Sequence, residues 1–562
     1  VGAPAPLAGA GRVAGAAALI AGLTVASRLA GFGRTAVFTW AVGPTDLGDI
    51  YFAANSLPNI IFEIVAGGAM ASLVVPLLAG AVDADDRRAV GATTSALLTW
   101  VLTLLVPLAV LVALAAGPVI GLLAPDGASP AQLAAGARML RLFAPQVPLY
   151  GVGIVLTGVL QAHRRFAWPV VAPLLSSVTV IGVYLGFAGT QGRQADLSRA
   201  GVTGQLLLAV GTTAGVVVLS LCLLVPLRRL GLPLRPRYAF APGARREVAG
   251  LALAGAVTVG AQQLALLVTL RLALAGPVGS AVVFNLAQTV YLLPWAVLAV
   301  PLATAAYPTL AAARAGGDED TYRRTLAGTG RAVVLLSCLG AAALVAAARP
   351  VADFFVAPPL AAATAAGIAG FAPGLLGYAL FAVLSRALYA RARPGAAAVA
   401  TVSGWFVAAA VAVLLAGALP AQHRVLALTL GNSTGMVLLG GLLVLAVTRS
   451  AGGPALAGLG RATAVGVLAG GLAAAAGATV AGWLAAGNPT PTQVDSVLQG
   501  MLSGAVVALV FLAVAHPLDR HDVQPLVATA RRRLGGLGRG ATGGRPAGGV
   551  RPGDEGKETL SR

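Results

Sequence analysis

In VAGAAALIAGLTVASRLAGFGR (13–34), a run of small and aliphatic residues long enough to cross a bilayer carries two arginines, Arg28 and Arg34, in its second half. About 20 apolar residues suffice for one helical span. An arginine at mid-bilayer depth costs about 2.5–3.5 kcal/mol on insertion scales, so it faces a polar cavity or an anionic partner. The segment therefore predicts a helical membrane protein and, within it, a site for something negatively charged.

The rest of the chain extends that reading. Of 562 residues, 58% are hydrophobic and only 10% are charged, with a mean hydropathy of +0.87. In lipid every backbone donor and acceptor must be paired within its own segment, so an all-α polytopic fold is expected. Fourteen spans are placed at about 13 to 33, 49 to 79, 90 to 122, 135 to 160, 168 to 189, 201 to 227, 247 to 275, 281 to 311, 331 to 348, 362 to 390, 395 to 417, 425 to 447, 462 to 485 and 498 to 517. Polar or Pro/Gly-rich breaks separate them, among them DADDRR (83–88), PDGASP (125–130), GTQGRQAD (189–196) and GNPTPT (487–492). Arg12 ahead of an apolar run resembles a signal peptide, but no small-residue cleavage site precedes a soluble domain, so the run is read as a retained first span.

Most of the 38 Lys and Arg fall in alternate loops and in the C-terminal segment, which by the positive-inside rule puts both termini in the cytoplasm. The net charge of +19 is assigned to those loops, to anionic lipid and to a Gly/Arg-rich tail (518–562) expected to be disordered; no nucleic-acid partner is needed. Cys222 and Cys338 are too few and too far apart for a disulfide framework, and His163, His423, His516 and His521 lack zinc spacing. The acidic loop Asp83, Asp85, Asp86 runs into Arg87 and Arg88 and has no second acidic cluster to pair with, so it reads as a self-neutralising loop. No metal, cofactor or catalytic constellation is expected, and the chain is not read as an enzyme.

An internal repeat is visible. LQAHRR (160–165) and LYARAR (388–393) both close a span and lie 228 residues apart, and Pro58 in span two has a counterpart in Pro294 of span eight. The expected organisation is a six-helix N-terminal lobe (1–230), a six-helix C-terminal lobe (231–450), two extra helices (451–517) and the tail. Duplicated halves place a substrate site at their interface near the midplane. Ser27 and Arg34, seven residues apart, lie on nearly the same helical face, with Arg28 about 100° around. Gly31 and Gly33 between them would let a ligand or a neighbouring backbone approach closely. Two guanidiniums suit a diphosphate, which accepts forked, charge-assisted bonds. The alternative is a structural ion pair between Arg28 and Asp49 or Glu63, with Arg34 snorkelling to the interface.

These residues carry a resemblance. SRLAGFGRT (27–35), then GDIYFAANSLPN (48–59), then a span reaching VVP (74–76), resemble the N-terminal signature of the MurJ/MviN family, lipid II flippases of the MOP superfamily. RFAWPVVAPLLSS (165–177), LPWAVLAV (293–300) with YPTL (307–310), and SRALYARARP (385–394) are similar to later parts of that family. The resemblance implies alternating access between two lobes around a cationic cavity, with spans thirteen and fourteen holding a groove for a polyprenyl tail. It further implies that Ser27, Arg28 and Arg34 contact the head group or diphosphate, with Asp49 and Asn59 as further polar site positions. The implied partners are a lipid-linked glycan, membrane lipids and cell-wall synthesis proteins, and the implied location is the bacterial cytoplasmic membrane.

The chain departs from that pattern at Phe62 and Gly67, where a basic residue and a glutamate are usual, at Thr289, which replaces an arginine, and at Thr35, which replaces an acid. The competing classes are a polysaccharide or multidrug exporter of the same superfamily and a non-transporting scaffold of cell-wall assembly. A cation-coupled drug exporter calls for acids within the membrane, and Asp49 and Glu63 are the clear ones here.

Overall fold

The computed structural model describes residues 8–64, 74–239, 244–488 and 491–524, and side chains within the helices are described from Gly22 onward in the first helix and from Val257 onward in the helix that begins at Ala244. The described residues are helical with connecting turns. The N-terminal helices are α1 (Ala8–Ala41), α2 (Asp46–Phe62), α3 (Val74–Asp83), α4 (Arg87–Leu114), α5 (Ala116–Leu123), α6 (Pro130–Phe143), α7 (Gln146–Ala162), α8 (Ala167–Gln191), α9 (Leu197–Leu221) and α10 (Leu224–Arg228). The C-terminal ones are α11 (Ala244–Leu274), α12 (Ser280–Pro294), α13 (Val300–Ala315), α14 (Glu319–Phe355), α15 (Pro358–Ala390), α16 (Pro394–Ala418), α17 (Arg424–Ala451), α18 (Leu459–Gly487) and α19 (Gln493–Leu518). Twelve described stretches are long and apolar enough to span a membrane. They coincide with expected spans three to fourteen; α1 lies at expected span one, α2 and α3 lie at the two ends of expected span two, and the protein is a polytopic helical membrane protein.

Several expected spans are broken where the backbone demands it. Span three divides at Ala115 into α4 and α5, and span four divides between Phe143 and Gln146, where Pro145 supplies no N–H. Span eight runs on past Pro294 through a π-helical turn (Trp295–Ala299), a one-turn widening of the kind proline induces. Side-chain caps fix the helix starts: Asp86 accepts from the amides of Arg88 and Ala89, Asp318 from Thr321, and Ser129 and Thr492 form capping boxes with Gln132 and Asp495.

The repeat is legible in the backbone. Arg165 N donates to Leu160 O at 2.8 Å and Arg393 N to Leu388 O at 2.9 Å, with Arg164 (φ 58°) and Ala392 (φ 54°) left-handed at matched positions. A second pair of turns agrees, since Asp86 N donates to Ala81 O and Asp318 N to Ala313 O, and each aspartate then caps the next helix.

Three apolar cores organise the packing. One joins α3, α4 and α7 around Val74, Val101 and Leu156, and another joins α13 to α19 around Leu335, Leu384 and Leu439. The third crosses between the N- and C-terminal helices, bringing Phe38, Tyr51 and Phe143 together with Phe284, Tyr291 and Phe371. Gly67 and the tail beyond Gln524 lie outside the described residues, as does Arg12's side chain.

Candidate functional site

Of the five sequence-predicted site residues, three stand on α1. Arg28 and Arg34 are both exposed, and neither has an ion pair or side-chain hydrogen bond to another described residue. Ser27 is half-buried. Arg34 lies near enough to Tyr51 on α2, Tyr150 on α7 and Tyr184 on α8 for its charge to bear on their hydroxyls. An added Cβ at Gly31 or Gly33 meets nothing within 4 Å among the described residues, so of the ligand or neighbouring backbone expected there no backbone approaches, and the segment borders open space. The alternative of an Arg28 ion pair with Asp49 or Glu63 is overturned, since neither acid lies within bridging distance of either arginine.

Behind Arg34 sits a wall that sequence reading passed over. Tyr51 Oη lies 2.9 Å from Tyr184 Oη and 2.7 Å from Thr212 Oγ1, and the rings of Phe38 and Phe143 pack against Tyr51. Nearer the end of α2, Phe62 packs on Tyr150 with ring centroids 4.5 Å apart, and Glu63 is exposed with no cation in bridging distance among the described residues. The departure at Phe62 thus replaces a charge by an aromatic face. Asn59 is half-buried and turned along its own helix, where Nδ2 donates to Asn55 O at 2.9 Å. Thr289, half-buried on α12, donates to Asn285 O.

Asp49 is placed differently from the other four. It is 7% exposed, and its carboxylate accepts three backbone hydrogen bonds from the start of α12: Gly279 N at 2.7 Å, Ala281 N at 3.1 Å and Val282 N at 3.1 Å. A carboxylate there meets the positive end of a helix dipole as well as its unpaired amides. Gly279 is required, because its φ of +91° is left-handed and a Cβ would lie 2.6 Å from Pro44. Asp46, one turn earlier, accepts from Leu197 N at the start of α9. Asp49 therefore fastens α2 to α12 at one end of the bundle, beside a cavity of about 320 Å³ lined by Asp46, Ala53, Leu123 and Leu274. The spacing from Asp49 to these amides, 230 residues away, gave no sequence signal, whereas Tyr51 and Tyr184 were visible only as aromatics in apolar runs.

A family model described as lipid II flippase MurJ matches residues 39–486. That range contains Asp49 and Asn59 and begins after Arg34. The chain is 28% identical over 348 residues to a probable lipid II flippase MurJ of Rhizobium meliloti, covering 59% of this chain and 61% of the relative. It is 27% identical over 391 residues to the lipid II flippase MurJ of Burkholderia cenocepacia, covering 66% and 72%. A Synechocystis relative, a probable lipid II flippase MurJ, is 32% identical over 240 residues, and the chain spans only 44% of its length. Among solved structures, a lipid II flippase MurJ in an inward closed conformation superposes with a TM-score of 0.68 at 16% identity, over 89% of this chain and 99% of that one. An inward-facing multidrug resistance MATE family transporter of the MOP superfamily gives 0.61 at 14% identity, over 80% and 95%.

Proposed function

Since the chain belongs to the lipid II flippase MurJ family, we propose that it carries a polyprenyl-diphosphate-linked glycan, the peptidoglycan precursor lipid II, across the bacterial cytoplasmic membrane. The observation that carries this reading is that Arg28 and Arg34, on an apolar helix, have no ion pair or side-chain hydrogen bond among the described residues. Two guanidiniums without internal partners are costly at that depth, and a diphosphate supplies the missing anion through forked bonds. Arg34, near Tyr51, Tyr150 and Tyr184, holds the charged group, Arg28 reaches it from the next face of α1, and Ser27 and Asn59 are assigned to the same site.

Transport proceeds by alternating access of two six-helix lobes, with α18 and α19 added to the second and with both termini cytoplasmic. In this reading Asp49 does not touch substrate. It locks one end of the lobe seam while the arginine cavity is reached from the other, and the lock must release for the opposite state to form. Pro58 and the π-turn after Pro294 are the bending points. No covalent step is involved, so the reading requires no catalytic residue or cofactor. A cation-coupled exporter of the same superfamily is disfavoured because both oxygens of Asp49 are occupied by backbone amides.

The test is complementation. Expression of the full chain is expected to restore growth to cells depleted of their own lipid II flippase, and failure of a well-inserted chain to do so refutes the substrate assignment.

A further inference from the structure

The segment joining the N- and C-terminal helices, RRLGLPLRPRY (228–238), does not hang free in solvent. It lies in extended form along α4. Arg235 N donates to Ser95 Oγ at 3.0 Å and Arg237 N to Thr99 Oγ1 at 3.2 Å, so two backbone donors are satisfied by hydroxyls one helical turn apart. Tyr238 ends the contact: its carbonyl accepts from Trp100 Nε1 at 3.0 Å, its hydroxyl lies 3.0 Å from Thr103 Oγ1, and its ring meets Trp100 edge-on with centroids 5.3 Å apart. At the other end Pro233 presses on Gly91, where a Cβ would come within 2.9 Å of its carbonyl oxygen.

The depth of this strap follows from α4 and α5. Residues 104–123, which run through the break at Ala115, contain no polar side chain, and 20 helical residues rise about 30 Å, the thickness of the hydrocarbon layer. Leu104, Val106, Val110, Leu111 and Leu114 are exposed along that stretch, as a lipid-facing surface must be. Thr103, Trp100, Thr99 and Ser95 precede it. The Trp100–Tyr238 pair thus sits where aromatic belts mark the membrane interface. Arg237 is held at Thr99, beside that pair, and Arg235 at Ser95, one turn further out toward the lipid phosphates, with Arg228 and Arg229 at the start of the strap. All four are exposed and without a carboxylate partner among the described residues. The acidic loop Asp83, Asp85, Asp86 at the same end is followed by Arg87 and Arg88, and the surface remains net positive.

We propose that this strap is a binding site for the phosphate head group of a membrane lipid, built by the hydroxyl ladder of α4 and independent of what the central cavity carries. Pinning the backbone fixes the guanidiniums at phosphate depth, so they bind as a positioned pair and not as a diffuse charge. The inference stands whether or not the chain moves lipid II.

The test uses the full chain in detergent, with native mass spectrometry reporting retained phosphatidylglycerol against phosphatidylcholine. The wild-type chain is expected to retain the anionic lipid selectively. Arg235→Ala/Arg237→Ala should reduce that selectivity about fivefold for each guanidinium removed. Ser95→Ala/Thr99→Val keeps every charge but unpins the strap, and should lose selectivity as well. Thermal unfolding curves like the wild type's qualify each variant as folded, and Arg235→Lys/Arg237→Lys, which keeps the charge without the fork, is expected to fall between. Wild-type selectivity in the double alanine variant overturns the site. Wild-type selectivity in the unpinned variant overturns the claim that it is built. Competition with undecaprenyl diphosphate identifies the source: displacement of phosphatidylglycerol assigns a diphosphate lipid, and its persistence assigns bulk phospholipid.

Discussion

Asp49 and the Arg28/Arg34 pair are charges on the first two helices, yet they are treated in opposite ways. Asp49 is buried and its carboxylate is filled by three amides of α12. Both arginines stand exposed, with no ion pair or side-chain hydrogen bond among the described residues. A charge whose hydrogen bonds are completed inside the protein holds the structure together, because removing it strands its partners. A charge left open is completed by something that arrives from outside. On the proposed function the two regions divide the labour between closing the seam and receiving a ligand.

The largest effect is expected at the open charges. Arg28→Ala and Arg34→Ala should each lower complementation or transport by on the order of tenfold to a hundredfold, the worth of a hydrogen bond to a charged group, while leaving membrane insertion unchanged. Lysine at either place should recover only part, since a point charge replaces a fork. Full activity in both alanine variants erases the distinction between the two regions.

The closed charge should show itself in conformation. Asp49→Ala removes the acceptor of three amides and a helix-dipole partner, a change of about 2 kcal/mol that shifts the balance toward an opened seam by about thirtyfold. A cysteine at Ala53, which is 3% exposed in the neighbouring cavity, should become reactive to a polar thiol reagent in that variant when Cys222 and Cys338 are replaced by serine. Unchanged labelling at Ala53 would remove the latch role.

A smaller effect is expected at a third place, beyond the last span, where charge is again completed internally. Arg331 Nε binds both oxygens of Asp522 at 2.9 and 2.8 Å, and Arg331 also donates to Ala457 O. Burial pushes the Asp522 carboxyl up, but hydrogen bonds from Arg331 and His521 outweigh it and hold it below the ordinary carboxylate range. With the folded value depressed, the clasp is at full strength above the ordinary aspartate pKa of about 3.9 and is lost as pH falls through the lower folded value. Thermal stability should thus fall below about pH 4 by more in the native chain than in Asp522→Asn. Deleting residues from 525 onward, past this clasp, should change insertion and transport least of all, as expected of a Gly/Arg-rich segment with little to bury.

How much of this was readable in advance follows from where each interaction is encoded. The helices and the open arginines were legible because apolar length and the cost of a charge in lipid are local properties of the chain. The role of Asp49 was not, since its partners are backbone amides, which every residue carries and no side chain announces. Tyr51 and Tyr184 were passed over because a tyrosine in an apolar run looks like core until its hydroxyl is seen beside Thr212. The linker 228–238 was legible as positive charge but not as a strap, because Gly91, Ser95 and Thr99 gain that meaning only when an extended chain lies on them.

The most direct measurement places the purified full chain in vesicles with fluorescently labelled lipid II in one leaflet and follows its appearance in the other by accessibility to an impermeant quencher. The account predicts transfer by the wild-type chain, and loss of that transfer in Arg28→Ala/Arg34→Ala reconstituted to the same level. Transfer at equal rates by wild type and the double variant, or none by a correctly inserted wild-type chain, would contradict it.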